Sequence, residues 1–128
     1  MDTGRRNFTL GQDKDQLVLR LRTPATGPNG VNPQVTLCKL EAGKMRHVLV
    51  TYRDGKLRAY LDGKRVAATD AVRGDFRNWE PARLIFGNEY TGDRKWLGSL
   101  DLVTLRSRAV DDKIVPLLYL IRTRTEMR

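Results

Sequence analysis

The sequence has a single cysteine, Cys38, among its 128 residues. One thiol cannot close an intrachain disulfide, so no disulfide framework holds this chain. Histidine is equally scarce, with His47 alone. Thiol catalysis needs a base beside the nucleophile. A Cys38–His47 pair is a remote candidate, and the plainer reading makes Cys38 a small, half-buried strand residue. No apolar run approaches the ~20 residues that span a bilayer. The opening Met1-Asp2-Thr3-Gly4-Arg5-Arg6 lacks the apolar stretch of a secretory signal, so any export signal is expected outside this chain. Zinc-finger spacing, a helix-turn-helix pattern and an RNA-recognition aromatic motif are all missing, which leaves no specific nucleic-acid motif. Acids at alternate strand positions are missing too: no Glu-x-Asp-x-Glu or Glu-x-Asp-x-x-Glu occurs. Glycoside hydrolysis needs two carboxyls roughly 5–9.5 Å apart. Glu89 and Asp93 share one loop, but a flexible loop fixes such geometry poorly. The sequence therefore points away from an enzyme.

What is abundant is positive charge, at a net +9. Such a balance suits polyanionic partners. The basic residues are scattered, however: Arg5, Arg20, Arg22, Arg53, Arg58, Lys64, Arg83, Arg106. Many alternate with apolar residues, as on the wet face of strands, and solvated strand faces are the first reading. A polyanion site is the second.

The dominant period is two. Leu17, Leu19 and Leu21 alternate with Val18, Arg20 and Arg22; Val48, Val50 and Tyr52 alternate with Leu49, Thr51 and Arg53; Leu57, Ala59 and Leu61 alternate with Arg58 and Tyr60. Alternate residues of a strand face opposite sides, so each run has a buried and a wetter face. Asp54-Gly55 and Asp62-Gly63 fall between such runs, and Asp-Gly accepts the positive φ of tight hairpins. A three-stranded antiparallel meander is expected over Arg46–Arg53, Lys56–Asp62 and Lys64–Thr69. Upstream, Phe8–Gly11 and Gln16–Arg22 read as strands joined by Gln12-Asp13-Lys14-Asp15. Thr23–Pro33, rich in proline and glycine, is a loop, and Gln34–Lys39 a short strand. Asp75–Pro81 is irregular, Arg83–Gly87 a strand, Asn88–Lys95 a polar loop, and Leu100–Arg106 the last strand. Asp111 and Asp112 begin a helical turn through Ile114. In the tail, Val115–Arg128, an apolar stretch with Pro116 suits a helix start; a packed helix or strand and an unstructured end are both open.

Several short strands with closely spaced turns indicate a sandwich or barrel. Here the residues carry a family likeness. Arg46-His47-Val48-Leu49-Val50-Thr51-Tyr52-Arg53-Asp54-Gly55 and Leu57-Arg58-Ala59-Tyr60-Leu61-Asp62-Gly63-Lys64 resemble the central hairpin of laminin-G-like, concanavalin A-like lectin/glucanase jelly rolls. Leu84-Ile85-Phe86-Gly87-Asn88-Glu89 resembles a later strand of that family, and Gly98–Val110 its closing strand. Asn7–Gln12 and Asn88–Arg94 look like a bacterial subgroup. Met45 departs from the family's usual Trp, Arg106 from an aromatic, and Leu102 from an acid. The family's opening strand has no counterpart. The resemblance therefore implies an all-β, antiparallel two-sheet jelly-roll sandwich, incomplete at its N-terminus, over residues 1–114, with a separate tail at 115–128. An exposed edge beside Leu100–Arg106 is expected to invite self-association unless the tail covers it.

Sugar binding stacks an aromatic ring on an apolar sugar face beside polar groups. Trp79, Tyr90, Arg94 and Trp96 form the candidate ligand set, with Asn78 and Asn88 nearby. Either tryptophan could instead plug the core. Calcium takes six to eight oxygens, and Asn88, Glu89, Asp93 and Asp101 are the best local group for Ca2+, the only cofactor considered. The resemblance implies a non-catalytic binding or adhesion module, with carbohydrate or another protein as partner. Its parent would be a larger bacterial surface or membrane-anchored protein, extracellular or periplasmic. A spacer domain without a glycan ligand is the alternative, and a glycoside hydrolase remnant is third.

Overall fold

The computed structural model describes residues 5–53, 55–87 and 96–126, with side chains through Ile121. β1 (Phe8–Asp13), β2 (Gln16–Leu21) and β3 (Val35–Lys39) form one antiparallel sheet in that order. A second antiparallel sheet runs β4 (Val48–Arg53), β5 (Lys56–Leu61), β6 (Lys64–Thr69), and a helix, α1 (Val115–Glu126), follows later in the chain. The inward residues of β2 and β3, Leu17, Leu19, Leu21 and Leu37, meet Leu57 and Ala59 of β5, with Val72 beside them. This is an all-β two-sheet sandwich, and its core is the face that the period-two pattern marked.

The hairpins follow local chemistry. Asp62 and Gly63 both have positive φ, 50° and 81°, as a two-residue turn between right-twisted strands requires. Gly55 also has positive φ, 77°, while Asp54 lies outside the described residues. The first hairpin is tighter than its sequence suggests. Gln12 pairs with Leu17 and Asp13 with Gln16. Only Lys14 (φ 57°) and Asp15 are left to turn the chain.

The centre of each sheet departs from simple alternation. Val18 on β2 and Tyr60 on β5 face away from the Leu17 and Leu57 rows, yet both are buried. A central strand has neighbours on both sides, so loops and side chains reach over its outer face more easily than over an edge.

The larger correction lies downstream. Arg83–Gly87 and Leu100–Arg106 are irregular, not strands. Leu97 is 79% and Leu102 60% exposed, and Leu102 has φ 56°, outside the extended region. A strand needs a ladder partner for its N–H and C=O groups, and these segments have none among the described residues. Their attachments are few. The Gln12 side-chain amide accepts from Leu97 N–H (2.8 Å) and donates to Leu97 C=O (3.3 Å). Trp96 N–H donates to Gly87 C=O (2.7 Å).

The tail is a helix, and it goes elsewhere. Asp111 accepts the N–H groups of Lys113, on its side chain, and Ile114, on its carbonyl. Val115 is fully buried where α1 begins. Pro116 and Tyr119 lie against the Gly63 turn of the β5–β6 hairpin, and Tyr119 faces His47 at 5.9 Å. α1 therefore does not cover Leu100, Leu102, Val103 and Leu105, which stay about half exposed or more, the case in which self-association is expected.

Candidate functional site

A cleft of about 580 Å³ opens where the end of β2 meets the segment before β1 and the irregular stretch around Trp79. Its walls include Arg5, Arg22, Arg77, Asn78, Trp79 and Glu80. Asn7 braces two of the lining residues, Arg22 and Glu80, from behind the wall. Its amide donates to Glu80 C=O (2.7 Å) and accepts from Glu80 N–H (3.1 Å), tying the two segments together as a short ladder would. The Arg5 guanidinium meets the Glu80 carboxylate at 3.1 Å.

Arg22 forms the floor. Its N–H donates to Asn7 C=O (2.8 Å), its Nη2 donates to Asn7 Oδ1 (2.6 Å), and its carbonyl accepts the Trp79 indole N–H (2.6 Å). The period-two pattern placed this side chain on a wet face, yet it is 2% exposed. Chain from both sides of the sequence closes over it: Asn7 from before β1, Trp79 from beyond the second sheet. The adjoining loop is tied to the end of β2 by hydrogen bonds. Thr26 donates to Leu21 C=O (2.7 Å) and accepts Thr23 N–H (2.8 Å).

Trp79 is in the cleft wall, but one ring face is stacked on Phe76 at 4.1 Å, with Phe8 at 6.0 Å. Trp96 is not among the cleft's lining residues. It packs against the core instead, and its indole nitrogen is buried without a partner among the described residues. Tyr90 and Arg94 of the expected ligand set, and Asn88, Glu89 and Asp93 of the expected calcium group, lie outside the described residues. Asp101 is exposed. Among the described residues no three His, Cys, Asp or Glu side chains gather closely enough to hold a metal ion. Asn78 Oδ1 is buried without a hydrogen-bond partner among the described residues. Sequence reading noted Asn78 only as a neighbour of Trp79 and passed over Arg22 as one charge of many. The one local signal was Trp79 with Asn78 in an irregular, aromatic-bearing segment.

The comparisons bear on this architecture. A laminin-G-type family model, described as the concanavalin A-like lectin/glucanases superfamily, matches residues 1–115. The chain belongs to that superfamily. This concanavalin A-like chain is also similar in fold to the crystal structure of an S-layer domain-containing protein from Clostridium thermocellum. The TM-score is 0.55 at 18% sequence identity, covering 92% of this chain and 59% of that one. The concanavalin A-like chain thus spans about three-fifths of the solved structure it matches. No curated protein matches it.

Proposed function

We propose that this chain is a non-catalytic ligand-binding module, with carbohydrate as its ligand and the cleft at Arg22, Asn78 and Trp79 as the seat. The cleft carries the reading: it is concave, partly apolar, and offers a few convergent polar groups, as small-ligand sites do. Membership of a lectin/glucanase superfamily supports the sugar class. Glu80 is the only carboxyl among the described lining residues, whereas glycoside hydrolysis takes two flanking the bond. The purified chain is expected to release no reducing sugar from β-glucans or galactans. The S-layer context of the similar structure supports a place in a larger surface-associated protein.

A glycan array followed by calorimetric titration tests the proposal. Arg77 is exposed, so Arg77→Ala leaves the fold intact and is expected to weaken binding of any retained glycan. A folded chain that retains no glycan overturns the carbohydrate reading. The exposed Leu97, Leu102 and Leu105 favour a protein contact as the second reading, tested by the association measurement given in the Discussion.

A further inference from the structure

Arg22 holds a charge that the described residues do not balance. Arginine is rarely fully buried unless it is paired, and it does not shed its proton in proteins. Arg22 is 2% exposed, and its Nε is buried with no hydrogen-bond partner. Its one side-chain partner is the neutral amide oxygen of Asn7. The acid in the cleft wall, Glu80, is engaged by Arg5. No ion pair includes Arg22 among the described residues. Arg5 and Arg77 also line the cleft, but Arg5 pairs with Glu80 and Arg77 with Asp75 at 3.5 Å, so Arg22 is the lining arginine left without a carboxylate among the described residues. A buried, uncompensated cation is costly to a fold. It is held in place here by five bonds that involve its own backbone and side chain or close the chain around it.

We infer that this cleft receives an acidic saccharide, whose carboxylate or sulfate group is drawn to Arg22 and whose hydroxyl donates to Asn78. The inference rests on the carbohydrate reading and narrows it. The two orphaned groups ask for opposite chemistry. A guanidinium calls for an anion, and charge-assisted bonds of this type are the strong ones. The buried Asn78 oxygen calls for a donor, which a bare inorganic anion such as sulfate lacks. A uronate or sulfated sugar ring carries both within one residue, and Trp79, Pro24 and Pro28 offer apolar wall beside them.

The test is thermal melting and calorimetric titration of the full chain with four probes: oligogalacturonate, dextran sulfate, a neutral xylo-oligosaccharide and inorganic sulfate. A ligand that binds only the native state raises Tm. Oligogalacturonate, dextran sulfate or both should raise it, and the stronger of the two names the acidic group. Arg22→Met should weaken that binding about tenfold or more, while its own Tm stays equal or rises because an unpaired buried charge has gone. If that variant does not fold, Asn78→Leu and Arg77→Ala report on the same cleft, each expected to weaken acidic binding. Neutral xylo-oligosaccharide bound as tightly as the acidic probes overturns this inference and leaves the carbohydrate reading standing. Sulfate ion matching dextran sulfate at equal sulfate concentration overturns the saccharide requirement. No binding by any probe overturns this inference, and the carbohydrate reading then stands or falls on the glycan array.

Discussion

Gly30 shows how much a single residue can decide in this molecule. It has φ 69°, and a Cβ there would stand 2.5 Å from the Leu21 carbonyl carbon and 2.6 Å from the Leu21 nitrogen. The obstacle is backbone of a core strand, which has nowhere to move. Gly30→Ala is expected to cost about 3 kcal/mol or more, combining the strained φ with the clash; urea denaturation measures it. Cys38 makes a second residue-scale case. Burial pushes its thiol up, and the Arg46 guanidinium pulls it part-way back. The folded chain therefore favours the neutral thiol. For a group raised in the folded state, the stabilisation is complete below the unfolded thiol's pKa and is lost as pH rises through the folded value. Stability is expected to fall on the alkaline side, less steeply in Cys38→Ala. At neutral pH, maleimide-type labelling of Cys38 should be slow until urea opens the sandwich.

Among the elements, the β5–β6 hairpin is the most tightly tied. Asp62 turns the chain and also accepts His47 N–H (2.8 Å) and the Arg46 guanidinium, while its own N–H donates to His47 C=O (2.8 Å). One side chain thus fixes the hairpin to the entry of β4. The Arg46 and Asp62 side chains are each about a quarter exposed, so solvent screens the pair less than a surface ion pair. Asp62→Asn keeps a residue that tolerates positive φ but removes the charge. A loss of about 1 kcal/mol is expected, seen as a lower midpoint in chemical denaturation with an unchanged slope. α1 packs on the same hairpin at Gly63, so the destabilised variant should also expose Tyr119, read by its fluorescence.

For the whole molecule, the described sandwich has one well-covered half and one apolar stretch without a ladder. Phe86, Leu97, Leu102 and Leu105 are each more than half exposed. Contiguous exposed apolar surface favours association. Sedimentation velocity over a hundredfold concentration range is expected to show reversible self-association, reduced by the double change Leu102→Lys and Leu105→Lys. A monomer throughout that range removes the self-association reading.

The period-two runs at Leu17–Leu21, Val48–Tyr52 and Leu57–Leu61 and the Asp62-Gly63 turn were legible in the sequence, because strand alternation and turn chemistry are local properties of a few consecutive residues. So was the family, whose signature lies in the order of those local pieces. Leu100–Arg106 resembles a strand of the family yet forms none, since a strand is completed by a neighbour that its own sequence does not contain. Arg20 and Arg22 fall on the same phase of the period-two run, and only tertiary structure separates them. Arg20 reaches out to Gln34, while Arg22 is enclosed by Asn7, 15 residues away, and by Trp79, 57 residues away. Charge is written in the sequence; whether that charge is solvated or buried without a counterion depends on which distant segments close over it.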